Sequence, residues 1–268
     1  MDSRHVLFFD SGAGGIPYCR DFIRRNPHEA VCYLADRMNF PYGPRGKEEL
    51  VSILISLTEK LLKTVDLKIF VLACNTASIS ALAPLRKNFP HLPFVGTVPA
   101  VKPAANSSKC GKVGVLGTER TIEDIRSLNL AENCEIFGVA APELVEFIEQ
   151  RYEKAGEEER AEIVKKYIAL FRTENIDNIV LGCTHFLYLL EEFRREASPF
   201  IKIFDSLDGI TKRVEYLLDE NDGALRAEKK SNPQHRLLLT GTKPPDSFWQ
   251  NRAQALGFNL NLLSEICV

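Results

Sequence analysis

Residues 68–82 read KIFVLACNTASISAL. The first part is a short apolar run rich in β-branched and aromatic residues, the pattern of a strand buried on both faces, as strands of parallel sheets are. The run stops at Cys74-Asn75-Thr76, and the segment that follows, through Lys87, reads as a helix. Strand, tight turn and helix recur at 178–193, where NIVLGCTH precedes a stripe of Phe186, Leu189, Leu190 and Phe193 at helical spacing, with Thr184 expected as the helix N-cap.

Working outward, similar apolar runs stand at 6–10, 30–36, 94–98, 113–117, 201–205 and 236–241. Helix-period segments lie between them at 48–63, 122–128, 157–174 and 208–218. Strands alternating with helices give an α/β fold of mainly parallel sheets flanked by helices. The spacing also repeats. Asp10 closes one strand and Cys74 another 64 residues later, while Thr118 and Cys183 stand 65 apart in the same way. The chain therefore reads as a doubled half with its active site in the cleft between two pseudo-symmetric domains. The expected domains are 1–98 with 208–268, the first being discontinuous because RLLLTG and SFWQNRAQALG return to its sheet, and 99–207. KPAANSSKCGK (102–112) reads as the crossover and DENDGALRAEKKSN (219–232) as a solvated loop.

Composition narrows the classes of function. At 268 residues with 45% hydrophobic content the chain needs neither disulfides nor metal to build a core. Lys and Arg total 34 against 36 Asp and Glu, so no basic field exists to hold nucleic acid. No apolar stretch is long enough to cross a membrane and Asp10 interrupts the start before a signal segment could form, so a cytoplasmic protein is expected. The seven cysteines (19, 32, 74, 110, 134, 183 and 267) form no CxxC pair, which argues against a metal site.

Position separates these thiols. Cys74 and Cys183 each stand at a strand-to-helix turn, where unpaired amide donors and the positive end of the helix dipole favour a thiolate. The other five lack that setting and are expected to be structural. Two thiols at equivalent places of a repeat suit a reaction in which one base takes a proton from a carbon and the other returns one to the opposite face. No phosphate-loop signature and no pyridoxal-phosphate lysine motif is present, so no cofactor is expected. DSGAGG (10–15) lacks the spacing of a dinucleotide loop, and its glycines are expected to let the backbone approach a small anion. Asp10 could orient an ammonium group, act as a proton relay beside Cys74 or cap a helix. Asp36, followed by NFPYG (39–43), is turn chemistry that could equally build a pocket wall.

With DSGAGG, PYG, ACNTAS and GCTH placed, the sequence resembles the glutamate racemases of the cofactor-independent aspartate/glutamate racemase superfamily over nearly its whole length. The resemblance implies Cys74 and Cys183 as the two acid/base thiols, with Asp10 assisting the first, and His185 and Glu149 the second. Glu143 and Glu146 are the other candidates on the same segment. It further implies that the substrate is held by Asp10, Ser11, Tyr42, Gly43, Asn75, Thr76, Thr184 and His185, with Thr118, Thr121 and Asp36 as weaker candidates. The partner is then a small molecule, L- or D-glutamate, with D-glutamate destined for peptidoglycan, and a homodimer is a candidate assembly. Phe186-Leu187 replaces the Tyr-Pro common in the family, and Ala141 stands where a cysteine is frequent. Three other readings stay open: a racemase of another amino acid, a lyase or hydrolase using one cysteine, and an amino-acid-binding module.

Overall fold

The computed structural model describes residues 4–127, 131, 134–228 and 232–263; Cys267 and Leu128 lie outside them. The chain divides into two compact units, Met1–Thr97 with Leu207–Val268, and Val98–Ser206.

The first unit opens with β1 (His5–Asp10), α1 (Ile16–Arg25), β2 (Val31–Ala35), α2 (Lys47–Leu61), β3 (Leu67–Leu72), α3 (Asn75–Asn88) and β4 (Phe94–Gly96). The second holds α4 (Val101–Ser107), β5 (Lys112–Gly117), α5 (Glu119–Ser127), β6 (Glu135–Ala140), α6 (Pro142–Gln150) and α7 (Glu157–Thr173). It continues through β7 (Asn178–Leu181), a 3₁₀ turn (Thr184–Leu189), α8 (Leu190–Ala197) and β8 (Lys202–Phe204). The chain then returns to the first unit with α9 (Leu207–Gly223), β9 (Arg236–Thr240), α10 (Ser247–Leu256) and β10 (Asn259–Leu263).

The first sheet has the order β10-β9-β2-β1-β3-β4 and the second β6-β5-β7-β8. Every pairing between these strands is parallel. The internal order 2-1-3-4 of the first sheet is repeated as 6-5-7-8 in the second, and β9 with β10 extends only the first. In each unit the connections leave the central pair, β1/β3 or β5/β7, toward opposite sides. That reversal opens a crevice at the carboxyl ends of the pair, the usual ligand position in open parallel sheets. Asp10 and Cys74 stand at one such edge, and Thr118 and Cys183 at the other.

The central strands are buried throughout: β2 and β3 have no exposed residue. In the first unit Phe9, Phe70 and Phe94 stack through the core, with ring centres 5.9 and 5.1 Å apart, and Tyr42 joins Phe9 at 6.1 Å. Each such burial contributes about 1.5–3 kcal/mol. This packing fixes the loop carrying Tyr42 onto the strand that ends in Asp10.

Several elements differ from the sequence reading. KPAANSSKCGK, read as the crossover, contains a helix, because its first half lies in α4, packed on β5, β7 and β8. Pro103 is tolerated there since amides of the first helical turn have no intrahelical partner. The stretch from 219 is helical to Gly223 and then pinned through Leu225, Arg226 and Ala227 rather than solvated, while 229–231 lie outside the described residues. The buried Lys68–Glu29 pair, 2.6 Å apart, takes the Leu225 carbonyl at 2.9 Å and the Ala227 amide at 3.1 Å as further partners. A buried ion pair needs such extra hydrogen bonds to offset its desolvation. Thr184 is not a cap: Cys183 holds the cap position and Thr184 begins a 3₁₀ turn rather than an α-helix. Strands β6 and β10 are absent from the sequence reading. Among the described residues, no helix is long and apolar enough to cross a membrane, and no cluster of three or more His, Cys, Asp or Glu is arranged for a metal ion.

Candidate active site

In the first unit Asp10 is the last residue of β1 and is 1% exposed. Its Oδ1 accepts from Ser11 Oγ at 3.3 Å and from the Gly12 amide at 3.4 Å, bonds that brace the turn after β1. Cys74, 6% exposed, occupies the cap position of α3 in extended backbone, and its side chain makes no cap bond to the helix. The α3 amides at this end are donors without intrahelical acceptors, in the positive field of the helix terminus.

Asn75 is the most informative residue of this edge. It is 3% exposed, yet neither Oδ1 nor Nδ2 has a hydrogen-bond partner. A buried amide left unpaired costs about 1–3 kcal/mol, which makes Asn75 a candidate to meet a polar ligand. Thr76 is buried beside it in the first turn of the same helix.

Tyr42, 2% exposed, donates to Asp36 Oδ2 at 2.6 Å. Burial pushes its phenol well above the ordinary value, and the charge and hydrogen bond of Asp36, with the charges of Cys74 and Asp10, act in the same direction. Asp36 is fully buried and also accepts from Asn39 Nδ2, at 3.0 Å, and from Thr240 Oγ1, at 2.6 Å. It is therefore the knot of the 36–43 loop rather than a free wall of the pocket. Gly43 follows Tyr42 in that loop and is half-buried.

The second unit presents a different arrangement around Cys183, which is 8% exposed. His185 Nδ1 lies 3.7 Å from Cys183 Sγ, and its Nε2 lies 2.7 Å from Glu149 Oε1. Burial works to lower the His185 pKa, but the hydrogen bonds and charges of Cys183 and Glu149 outweigh it and hold it well above the ordinary value. When protonated, His185 can donate from both nitrogens, one toward the sulfur and one to the carboxylate. Glu143 is engaged instead with Lys166 and Tyr167, and Glu146 is exposed. Thr118 accepts from the Thr121 amide at 3.2 Å and donates to Thr121 Oγ1 at 3.0 Å, so it caps α5. Those bonds use the hydroxyl proton and one lone pair, and leave one acceptor position open.

The remaining described cysteines are elsewhere. Cys19 and Cys32 are fully buried in α1 and β2, where burial raises both thiols, that of Cys32 to about 12. Cys110 is exposed and Cys134 half-buried in connecting segments. Sequence reasoning does not single out Thr240 or Tyr33, both of which hold loops of the first edge. A buried tyrosine in an apolar strand is the available signal, because its hydroxyl must find partners.

Residues 21–211 match the model of the family described as Asp/Glu/Hydantoin racemase. The chain belongs to this family. The glutamate racemase of Roseiflexus sp. (strain RS-1) is 38% identical over 225 residues, 82% of this chain and 81% of that one. The glutamate racemase of Histophilus somni (strain 129Pt) is 34% identical over 270 residues, covering 97% of each. Among solved structures of family members, Escherichia coli glutamate racemase in complex with L-glutamate and the activator UDP-MurNAc-ala superposes with a TM-score of 0.82 at 30% identity over 97% of both chains. The glutamate racemase isoform RacE1 of Bacillus anthracis gives 0.81 at 28% identity over the full length of both.

Proposed function

We propose that this protein is a cofactor-independent glutamate racemase, an isomerase that interconverts L- and D-glutamate by proton transfer at the α-carbon. The observation that carries the reading is the recurrence of one thiol in one setting. Cys74 and Cys183 follow the equivalent strands, β3 and β7, of a repeated 2-1-3-4 order, and both sit in extended backbone at a helix cap position. Family membership and the named relatives supply the substrate.

Inversion by two bases requires the two thiols to meet opposite faces of one α-carbon. One sulfur, as thiolate, takes the α-proton while the other, as thiol, delivers its own to the far face. The products are the opposite enantiomer and an enzyme with the two protonation states exchanged. Asp10 on one side, and His185 with Glu149 on the other, hold and return those protons. The uncompensated Asn75 amide and the first-turn amides of α3 bind substrate oxygens, with Ser11, Tyr42, Gly43, Thr76 and Thr184 completing the substrate contacts. The α-proton of an amino acid is weakly acidic, so an acceleration of even 10⁶ requires about 8 kcal/mol of transition-state stabilisation. Fixed donors around the developing charge, in a site closed to water, are the source of that energy. D-glutamate made in this way supplies peptidoglycan synthesis.

The test is to incubate the purified protein, without added cofactor, with each enantiomer of glutamate and of aspartate, and to follow composition by chiral chromatography. Both glutamate enantiomers should converge on an equal mixture, with aspartate turned over far more slowly. No interconversion, or dependence on pyridoxal phosphate, would refute the reading.

A further inference from the structure

Tyr33 stands in the middle of β2 as a fully buried side chain, in sequence merely one more core aromatic. Its hydroxyl donates to the Gly12 carbonyl at 2.8 Å and accepts from the Gly15 amide at 3.1 Å. One oxygen thus spans the turn that leads from Asp10 to α1. The Gly12 amide in turn reaches Asp10 Oδ1 at 3.4 Å.

The same turn presses on the other catalytic segment of this edge. A Cβ at Gly15 would lie 2.8 Å from Ala73 Cβ, 3.0 Å from the Ala73 carbonyl oxygen and 3.1 Å from the Tyr33 hydroxyl. Ala73 immediately precedes Cys74, and its amide donates to the Phe9 carbonyl at 2.7 Å. The turn carrying Ser11 is therefore wedged between one phenol oxygen and the backbone that enters the Cys74 turn. Gly15 is required there for closeness, since its φ of −79° suits any residue.

We propose that Tyr33 is a positioning residue of the racemisation, acting through Gly12 and Gly15 to set Asp10 and Ser11 against Cys74. The inference rests on the racemase reading of the site. Phenylalanine would fill the same core volume, so the role resides in a single oxygen. A misplacement of about 1 Å among reacting groups lowers rate by up to about a hundredfold.

The experiment compares Tyr33→Phe and Gly15→Ala with wild type by steady-state kinetics on both enantiomers and by amide hydrogen exchange read peptide by peptide. Each variant should lose about tenfold to a hundredfold in kcat, more than it gains in KM. Peptides spanning 8–18 should exchange about tenfold faster, and those spanning 183–190 at the wild-type rate. Combining the two changes should cost less than the product of their separate effects, because they disturb one turn. Wild-type kinetics in Tyr33→Phe would overturn the inference. Unchanged exchange at 8–18, or faster exchange spread equally over both units, would do the same. A wild-type protein that leaves glutamate untouched counts against the proposed function, whereas the exchange pattern tests the hold on the turn whichever substrate is processed.

Discussion

Asn75 shows how a single side chain can set stability against binding. Its unpaired buried amide destabilises the free protein. Replacing it with alanine should raise the KM for glutamate about tenfold or more, while Tm holds or rises slightly, because the uncompensated group is gone. A lower Tm with unchanged KM would mean that Asn75 serves the fold alone. Glu149→Gln should lower the pH at which His185 titrates, observable by NMR of the ring protons, since Glu149 and Cys183 raise it in the fold. The stabilisation from this raised pKa is fully present below the unfolded histidine value of about 6.5 and is lost as pH rises through the folded value. The Tm difference between wild type and Glu149→Gln should therefore be largest in acid and shrink toward alkaline pH. Losing the acid/base support should also cut kcat by about a hundredfold. The candidate thiols were legible because each lies in one contiguous motif, ACNTAS or GCTH. The choice among Glu143, Glu146 and Glu149 was not, since it depends on how α6 is turned toward a histidine 36 positions away.

Elements were legible where burial imposes a pattern. The inner parallel strands, covered on both faces, read as unbroken apolar runs, whereas β6 is a half-exposed edge strand that begins with Glu135 and contains Gly138. That glycine is a packing requirement, for a Cβ there would lie 2.3 Å from Ile122 Cγ2. Strand β10 alternates Asn and Leu at the opposite edge of the other sheet and pairs only with β9. The strand β9 does more than extend the sheet, because its last residue, Thr240, donates to Asp36 and accepts from the Met38 amide at 3.1 Å. Thr240→Val should cost about 1.5–3 kcal/mol of stability, as expected for a hydrogen bond to a carboxylate. Chemical denaturation would measure that loss, and the accompanying rise in KM would report the loosened Tyr42 loop; Thr240→Ser should restore both. At the opposite ends of the strands, His235 Nδ1 accepts from the Val31 amide at 3.3 Å and so must be unprotonated. Burial lowers the pKa of both His5 and His235, and cationic neighbours of His5 and the His5–His235 repulsion add to it. Groups lowered in the fold favour folding above the unfolded value of about 6.5 and cease to do so as pH falls through the folded values. The contribution of this pair to Tm should accordingly fall between pH 7 and pH 5, so that His5→Gln with His235→Gln gains Tm relative to wild type as pH is lowered over that range.

The two units repeat one four-strand order, 2-1-3-4, with edges that differ in chemistry. One edge holds Asp10, Tyr42 and an unpaired Asn75 with Cys74, and the other sets a carboxylate-held histidine beside Cys183. The doubled spacing of the strand-ending motifs made the repeat visible without coordinates. The asymmetry was legible only through the family resemblance, because its contacts come from side chains on β9 and α6 that only the folded chain brings to the strand ends. We propose that the two compact units are the folding domains of a racemase whose thiols exchange roles with the direction of reaction. The most direct test is α-proton exchange in D₂O, followed by NMR and chiral analysis, for wild type, Cys74→Ser and Cys183→Ser. Wild type should incorporate deuterium while inverting glutamate from either enantiomer, and each serine variant should lose net inversion. Full inversion by either variant would contradict the two-thiol account.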